Sequence, residues 1–212
     1  MPLYCAPTTP AATPMPHIVL LGDSILDNAV YVEPGCATID ALRKRLPAGW
    51  EATLLARDGA VVNEIEWQFK EMPPTATHVV LSVGGNDAIM QVTVLGEHVR
   101  TVGDALLRLR QIADDFEIDY VPMLRKVIAL GLPTIVCTIY NGNFPDLPQR
   151  QMTTTALTVF NDVIIRAAWT HRAQILDLRT VCDRPECYAN EIEPSAIGSA
   201  RIAEGLLALI DA

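Results

Sequence analysis

His17-Ile18-Val19-Leu20-Leu21-Gly22-Asp23-Ser24 is the stretch on which the fold of this chain turns. The unbroken apolar run Ile18-Val19-Leu20-Leu21 has the pattern of a strand covered on both faces, as parallel strands are, and Gly22-Asp23-Ser24 closes it with a tight turn. A serine displayed at the carboxyl end of such a strand stands where open α/β sheets hold their ligands. Ser24 is the first candidate for chemistry, and Asp23 is read as a brace for the turn.

Working outward, the same punctuation recurs. Glu51 to Arg57 reads as a strand closed by Asp58-Gly59, and His78 to Val83 as one closed by Gly84-Gly85-Asn86-Asp87. Thr134 to Tyr140 and Gln174 to Leu178 complete a set of five. Between them, apolar residues at helical spacing predict helices over 37–46, 63–70, 104–130 and 154–170, with a last one over 195–210. Gly131-Leu132-Pro133 supplies the helix stop of the longest. The stretches 88–100 and 179–194 read as irregular. Strands alternating with helices argue for a parallel sheet covered on both faces. The expected organisation is a flexible lead-in over 1–16 and a single domain over 17–212.

Composition narrows the function. The 212 residues carry a formal net charge of −9. That argues against nucleic acid or an anionic membrane as partner, since either calls for clustered Lys and Arg. Arg43-Lys44-Arg45 reads as a solvated helix face. No apolar run reaches the roughly 20 residues of a membrane span, and residues 1–16 lack a basic start and an apolar core, so a cytoplasmic location is expected. Five cysteines do not make a disulfide framework. Cys36 and Cys137 read as small packed groups, while Cys182 and Cys187 either close a small loop or stay free. No Cys or His spacing suggests zinc, and no metal or cofactor is expected.

In a parallel sheet every carboxyl end lies on one edge, which gathers Ser24, Gly59, Asn86 and Asp87 along one rim. Backbone N–H groups of Ser24 and Gly59 and the Asn86 amide are suited to hold a developing oxyanion beside a serine nucleophile. With these residues in this order, the chain resembles the SGNH/GDSL hydrolase family: Gly22-Asp23-Ser24 matches the nucleophile block, Gly59 the lone-glycine block, and Gly84-Gly85-Asn86-Asp87 the asparagine block. The resemblance implies a flavodoxin-like three-layer α/β/α sandwich with a five-stranded parallel sheet. It also implies esterase or acylhydrolase activity on small esters, Ser24 as nucleophile, and Ser24, Gly59 and Asn86 as the oxyanion hole.

The chain departs from the family in its last block, where Asp-x-x-His-Pro is replaced by Asn190-Glu191-Ile192-Glu193-Pro194. Glu193 stands where the general base belongs and Asn190 where its orienting Asp belongs. A carboxylate with a reference pKa near 4.3 is a weak base for a hydroxyl at neutral pH, and burial is what would raise it. A neutral Asn190 donating to Glu193 would avoid the repulsion of two carboxylates. The alternative for Glu193 is a carboxylate favoured by the dipole of the last helix. Of the histidines, His17, His78 and His171 precede strands and fall at the wrong edge, leaving only His98 within reach of the rim. Asp87 is read as bonding loop backbone, Asp27 and Asn28 as substrate contacts or helix caps, and Trp50, Trp67 and Trp169 as core or edge packing. The competing functional readings are a binding module without turnover and a nucleotide-binding domain, the latter lacking any phosphate-loop pattern.

Overall fold

Five parallel strands form one sheet in the order β2-β1-β3-β4-β5 in a computed structural model that describes residues 15–210. The strands are β1 (His17–Gly22), β2 (Glu51–Leu54), β3 (His78–Ser82), β4 (Thr134–Cys137) and β5 (Gln174–Leu176). The helices are α1 (Thr38–Arg43), α2 (Ile65–Phe69), α3 (Gly85–Met90), α4 (Val102–Ile128), α5 (Leu147–Thr170), α6 (Leu178–Val181) and α7 (Ala196–Ile210). The lead-in expected over 1–16 lies, except for Met15 and Pro16, outside the described residues.

The run at β1 is apolar because both its faces are covered, and successive side chains point to opposite faces. Val19 and Leu21 join Val79 and Leu81 in a cluster with Ile112, Phe116 and Leu124 of α4 and Phe160 and Ile164 of α5. Ile18 and Leu20 join Val80 on the other face with Leu42 of α1 and Ile202 and Leu206 of α7. The result is a three-layer α/β/α sandwich.

β1 pairs with β2 on one side and β3 on the other, with Gly22 opposite Ser82. The chain thus leaves β1 in one direction and returns past it in the other, and the crevice at such a reversal is where these sheets bind ligands. The turn after β1 depends on glycine. Gly22 has φ +140°, and a Cβ there would fall 1.8 Å from the Ser82 carbonyl oxygen. The Gln68 side chain receives the Gly22 N–H at 2.7 Å and donates to the Gly22 carbonyl at 2.8 Å, while the Asp23 N–H bonds Ser82 O at 3.0 Å.

Several expected boundaries move for local reasons. α4 begins two residues early because Thr101 Oγ1 accepts the Asp104 N–H and the Asp104 carboxylate accepts the Thr101 N–H, a reciprocal cap. α5 begins at Leu147 because Asp146 accepts the Gln149 N–H and Pro148 fits the first turn. The segment 88–100, expected to be irregular, holds the end of α3 and a 3-10 turn over Val92–Gly96. Ser195 caps α7 by accepting the Gly198 N–H at 3.2 Å. Trp50 packs at the core edge, but Trp67 and Trp169 are 68% and 81% exposed, contrary to the packing role expected for them. The Trp67 ring lies under the Lys70 ammonium at 3.9 Å.

Candidate active site

Ser24 follows the Gly22 turn at the carboxyl edge and is 7% exposed. Its Oγ donates to Glu193 Oε1 at 3.1 Å. Glu193 is itself 5% exposed, and its second oxygen, Oε2, is buried with no hydrogen-bond partner among the described residues. Desolvation pushes the Glu193 carboxyl up to about 7, against the stabilising bond from Ser24, and the negative Asp58 adds to the rise. Glu193 is turned inward onto the serine rather than out to solvent.

A second carboxyl stands close by, and it is Asp23. Burial pushes Asp23 up to about 8, with Glu193 and Asp87 adding repulsion and the Ile25 N–H bond to Asp23 Oδ1 (3.2 Å) opposing it. Near neutral pH Asp23 stays protonated, so the site avoids holding two buried charges. Asp87 accepts the Val62 N–H at 3.3–3.4 Å, and burial raises its pKa as well.

Asn190 sits differently from expectation. It is exposed, and its Oδ1 accepts the backbone N–H groups of Ile192 and Glu193, each at 2.9 Å. The anticipated bond from its amide to the Glu193 carboxylate is replaced by this turn. Asn190 shapes the loop that carries Glu193 and does not touch the carboxylate, because an Asn at such a position captures the N–H groups two and three residues on.

Asn86 lies at the start of α3, half-buried, and its Nδ2 donates to the Ala60 carbonyl at 3.0 Å, leaving the second amide hydrogen free to point elsewhere. That bond moors the Gly59–Ala60 turn beside β3. Gly59 has φ +81° and borders a separate polar recess with Trp67 and Glu71, outside the cavity over Ser24. Neither the Ser24 nor the Gly59 N–H has an acceptor among the described residues. Asp27 Oδ2 accepts the Asp58 N–H at 3.0 Å and Tyr31 donates to Asp58 at 2.9 Å, so the loop after β1 holds the Gly59 turn.

One site residue, Tyr140, escaped the sequence reading, and Asn28, read as a substrate contact or a helix cap, holds more of the site together than either role. Asn28 is fully buried: its Nδ2 donates to the Pro194 carbonyl (3.0 Å) and Ser199 Oγ (2.8 Å), and its Oδ1 accepts the Thr38 N–H (2.8 Å). It ties the serine loop, α1 and the Glu193 loop together, the cap reading rather than the substrate one. Tyr140, three residues past the end of β4, donates to the Ile192 carbonyl at 2.6 Å and steadies the same loop. Their polarity in otherwise apolar surroundings was the available signal. His98 is exposed and lies outside the cavity lining, while His17 and His78 open β1 and β3 at the far edge.

The cavity over Ser24 is lined by Asp23, Asn86 and Glu193 at one end and otherwise mainly by apolar groups, among them Leu109, Ile112, Leu157 and Phe160. Among the described residues no three His, Cys, Asp or Glu side chains cluster to hold a metal ion. Cys182 and Cys187 are both buried free thiols, so the pair stays open. No helix among the described residues is long and apolar enough to cross a membrane.

Comparison with known proteins agrees with this fold. A model of the GDSL-like lipase/acylhydrolase family matches residues 20–201. Among solved structures, an extracellular lipase from Streptomyces rimosus is 16% identical with a TM-score of 0.67, covering 91% of this chain and 99% of that one. An acetyl xylan esterase is 17% identical with a TM-score of 0.68, covering 92% and 99%. Phospholipase A1 from Streptomyces albidoflavus NA297 is 18% identical with a TM-score of 0.66, again covering 92% and 99%. At these identities the likeness is one of fold. No curated protein matches the chain.

Proposed function

This chain belongs to the GDSL-like lipase/acylhydrolase family, and from that premise we propose that it hydrolyses carboxylic esters through an acyl-enzyme on Ser24, with Glu193 as general base. The observation that carries the reading is the 3.1 Å bond from Ser24 Oγ to Glu193 Oε1. A carboxyl held at about 7 exists substantially as the carboxylate at neutral pH and still has the basicity to take a hydroxyl proton. Ser24 attacks the ester carbonyl as its proton passes to Glu193. The oxyanion is received by the Ser24 N–H and the free amide hydrogen of Asn86, both residues of the cavity lining, while Gly59, on the neighbouring recess, contributes through the turn that Asn86 moors. Glu193 returns the proton to the leaving alcohol, the acyl-enzyme remains, and water activated by the same carboxylate releases the acid. Asp23, neutral at this pH, keeps the local charge to one.

The reading is tested with p-nitrophenyl butyrate hydrolysis and fluorophosphonate labelling. Ser24→Ala is expected to abolish labelling and lower kcat by roughly 10³-fold or more, and Glu193→Gln to lower kcat by about 10²–10⁴-fold, the range of general-base catalysis. Turnover unchanged in Ser24→Ala would overturn it. A binding module without turnover is the second reading, favoured by one observation: Glu193 Oε2 is buried and unpaired, which a protonated, idle carboxyl tolerates better than a carboxylate. A parent protein that binds esters and neither turns them over nor takes the label would establish it.

A further inference from the structure

β1 outruns its neighbour on one side. β2 stays paired with it only as far as Leu54 opposite Leu20, whereas β3 follows it to Ser82 opposite Gly22. Beyond Leu20, the Arg57 N–H still reaches the Gly22 carbonyl at 3.0 Å. The Gly22 N–H is accepted instead by the side chain of Gln68 at 2.7 Å, and the same carboxamide donates to the Gly22 carbonyl at 2.8 Å. One amide that both accepts from and donates to a single residue reproduces the pairing of a strand. Gln68 is 6% exposed, an unusual depth for a glutamine and one that its two bonds make tolerable. Its helix, α2, touches the rest of the site as well. Ile65 seats α2 in the core, and the Val62 N–H in the turn before it is accepted by Asp87. Gln68 lines the polar recess together with Gly59 and Ala60, and the Ala60 carbonyl holds Asn86.

Resting on the proposed reading of Ser24 and Glu193, we propose that Gln68 is a positioning residue: its carboxamide replaces the strand that has ended and, by fixing both polar groups of Gly22, aims Ser24 Oγ at Glu193. Gln68 acts through two residues of backbone and touches none of the reacting atoms. Gly22 has φ +140°, and glycine, free to occupy several backbone wells, holds one only under outside restraint. The Asp23 N–H bond to Ser82 O supplies that restraint from the β3 side, and Gln68 supplies it from the β2 side. Ser24, two residues on, then meets Glu193 Oε1 at 3.1 Å. A displacement of about 1 Å at a reacting atom costs roughly 10²-fold in rate. The bond from Ser24 also favours the Glu193 carboxylate against its desolvation. A serine that swings away therefore leaves that carboxyl harder to ionise. The same clamp recurs once away from the nucleophile. Asn161, 1% exposed, accepts the Ile139 N–H and donates to the Ile139 carbonyl, both at 2.8 Å.

The test compares the parent with Gln68→Met, which keeps the length of the side chain and removes both bonds. Two readouts are used: p-nitrophenyl butyrate kinetics across pH, and NMR titration of the glutamate carboxyls with the Glu193 signal assigned through Glu193→Gln. In Gln68→Met, kcat is expected to fall about 10²-fold with KM held within about threefold. The Glu193 titration and the acid limb of kcat/KM are both expected to move up by about one pH unit. The other titratable groups that act on Glu193, namely Asp58, Asp23, Tyr31 and Tyr140, are left in place by the substitution. Asn161→Leu breaks the matching clamp and should lose comparable stability in urea with the titration and the limb unmoved. Gln68→Asn, one carbon shorter, weakens both bonds and gives smaller shifts in the same direction should Gln68→Met fail to fold. A Glu193 titration unmoved in the folded variant, or moved equally by Asn161→Leu, reduces Gln68 to a structural clamp and overturns the proposal. The titration needs no turnover. A parent that hydrolyses no ester while its Glu193 still responds to Gln68 therefore counts against the reaction alone, and hydrolysis with an unmoved titration counts against the positioning role alone.

Discussion

At the scale of single residues, the site works by withholding water from carboxyls. Glu193 is raised to about 7 and Asp23 to about 8, in each case chiefly by desolvation. If Glu193 is the base, it acts only when deprotonated, so kcat/KM is expected to rise with pH and level off above about 7. A pH–rate profile on p-nitrophenyl butyrate checks this, and the limb should vanish from any residual activity of Glu193→Gln. Restoring His at 193 together with Asp at 190 tests whether the pocket still accepts imidazole: a gain in rate is expected, because His carries its own near-neutral pKa without needing burial. That Ser24, Asn86 and Glu193 line one cavity was legible in the sequence because the blocks around them hold their order. The burial of the Asp23 side chain beside them was not, since an Asp in a Gly-Asp-Ser turn gives no sign of being enclosed. Asn190 was misread because a turn-forming Asn spends its oxygen on local backbone, a signal present in Asn190-Glu191-Ile192-Glu193-Pro194 but weighed against a family pattern.

At the scale of elements, the turn after β1 and the loop before α7 must be held in register, and named side chains do it. Gly22→Ala puts a methyl 1.8 Å from the Ser82 oxygen on a left-handed backbone. The expected loss is about 3 kcal/mol or more, measured by urea denaturation. Asn28→Ala removes the bonds to Pro194, Ser199 and Thr38 from a fully buried position. A loss of about 2–3 kcal/mol is expected, with ester hydrolysis falling further than stability alone accounts for, because Glu193 loses its tether. Strands and long helices were legible from periodicity. Their starts were less so: the caps at Thr101 and Asp146 are present in the sequence but lie outside the apolar pattern that marks the helices. α3 went unread because its six residues include Gly85 and Asn86 and carry no buried face.

At the scale of the whole molecule, stability and activity respond to pH in opposite senses. Asp23 and Glu193 keep protons in the folded state that the unfolded chain, with ordinary carboxyls near 4, has already released. The folded state therefore binds more protons across this window, and stability falls as pH rises from about 4 through about 7 and 8. Tm measured between pH 5 and 9 should decline in the parent and decline less in Asp23→Asn, which is expected to be more stable at pH 9 by roughly 3 °C or more. The sheet order was legible only through the family resemblance, since local patterns give strands but not neighbours. That order has a kinetic side. β1 rests between β2 and β3, and the Ser24–Glu193 bond spans 169 positions of sequence. Non-local pairing of this kind folds slowly, and during synthesis the N-terminal portion emerges first. The nascent chain thus carries its serine for most of its synthesis with no partner carboxylate, and the pair is joined only when the final helix, tethered through Asn28, packs against α1.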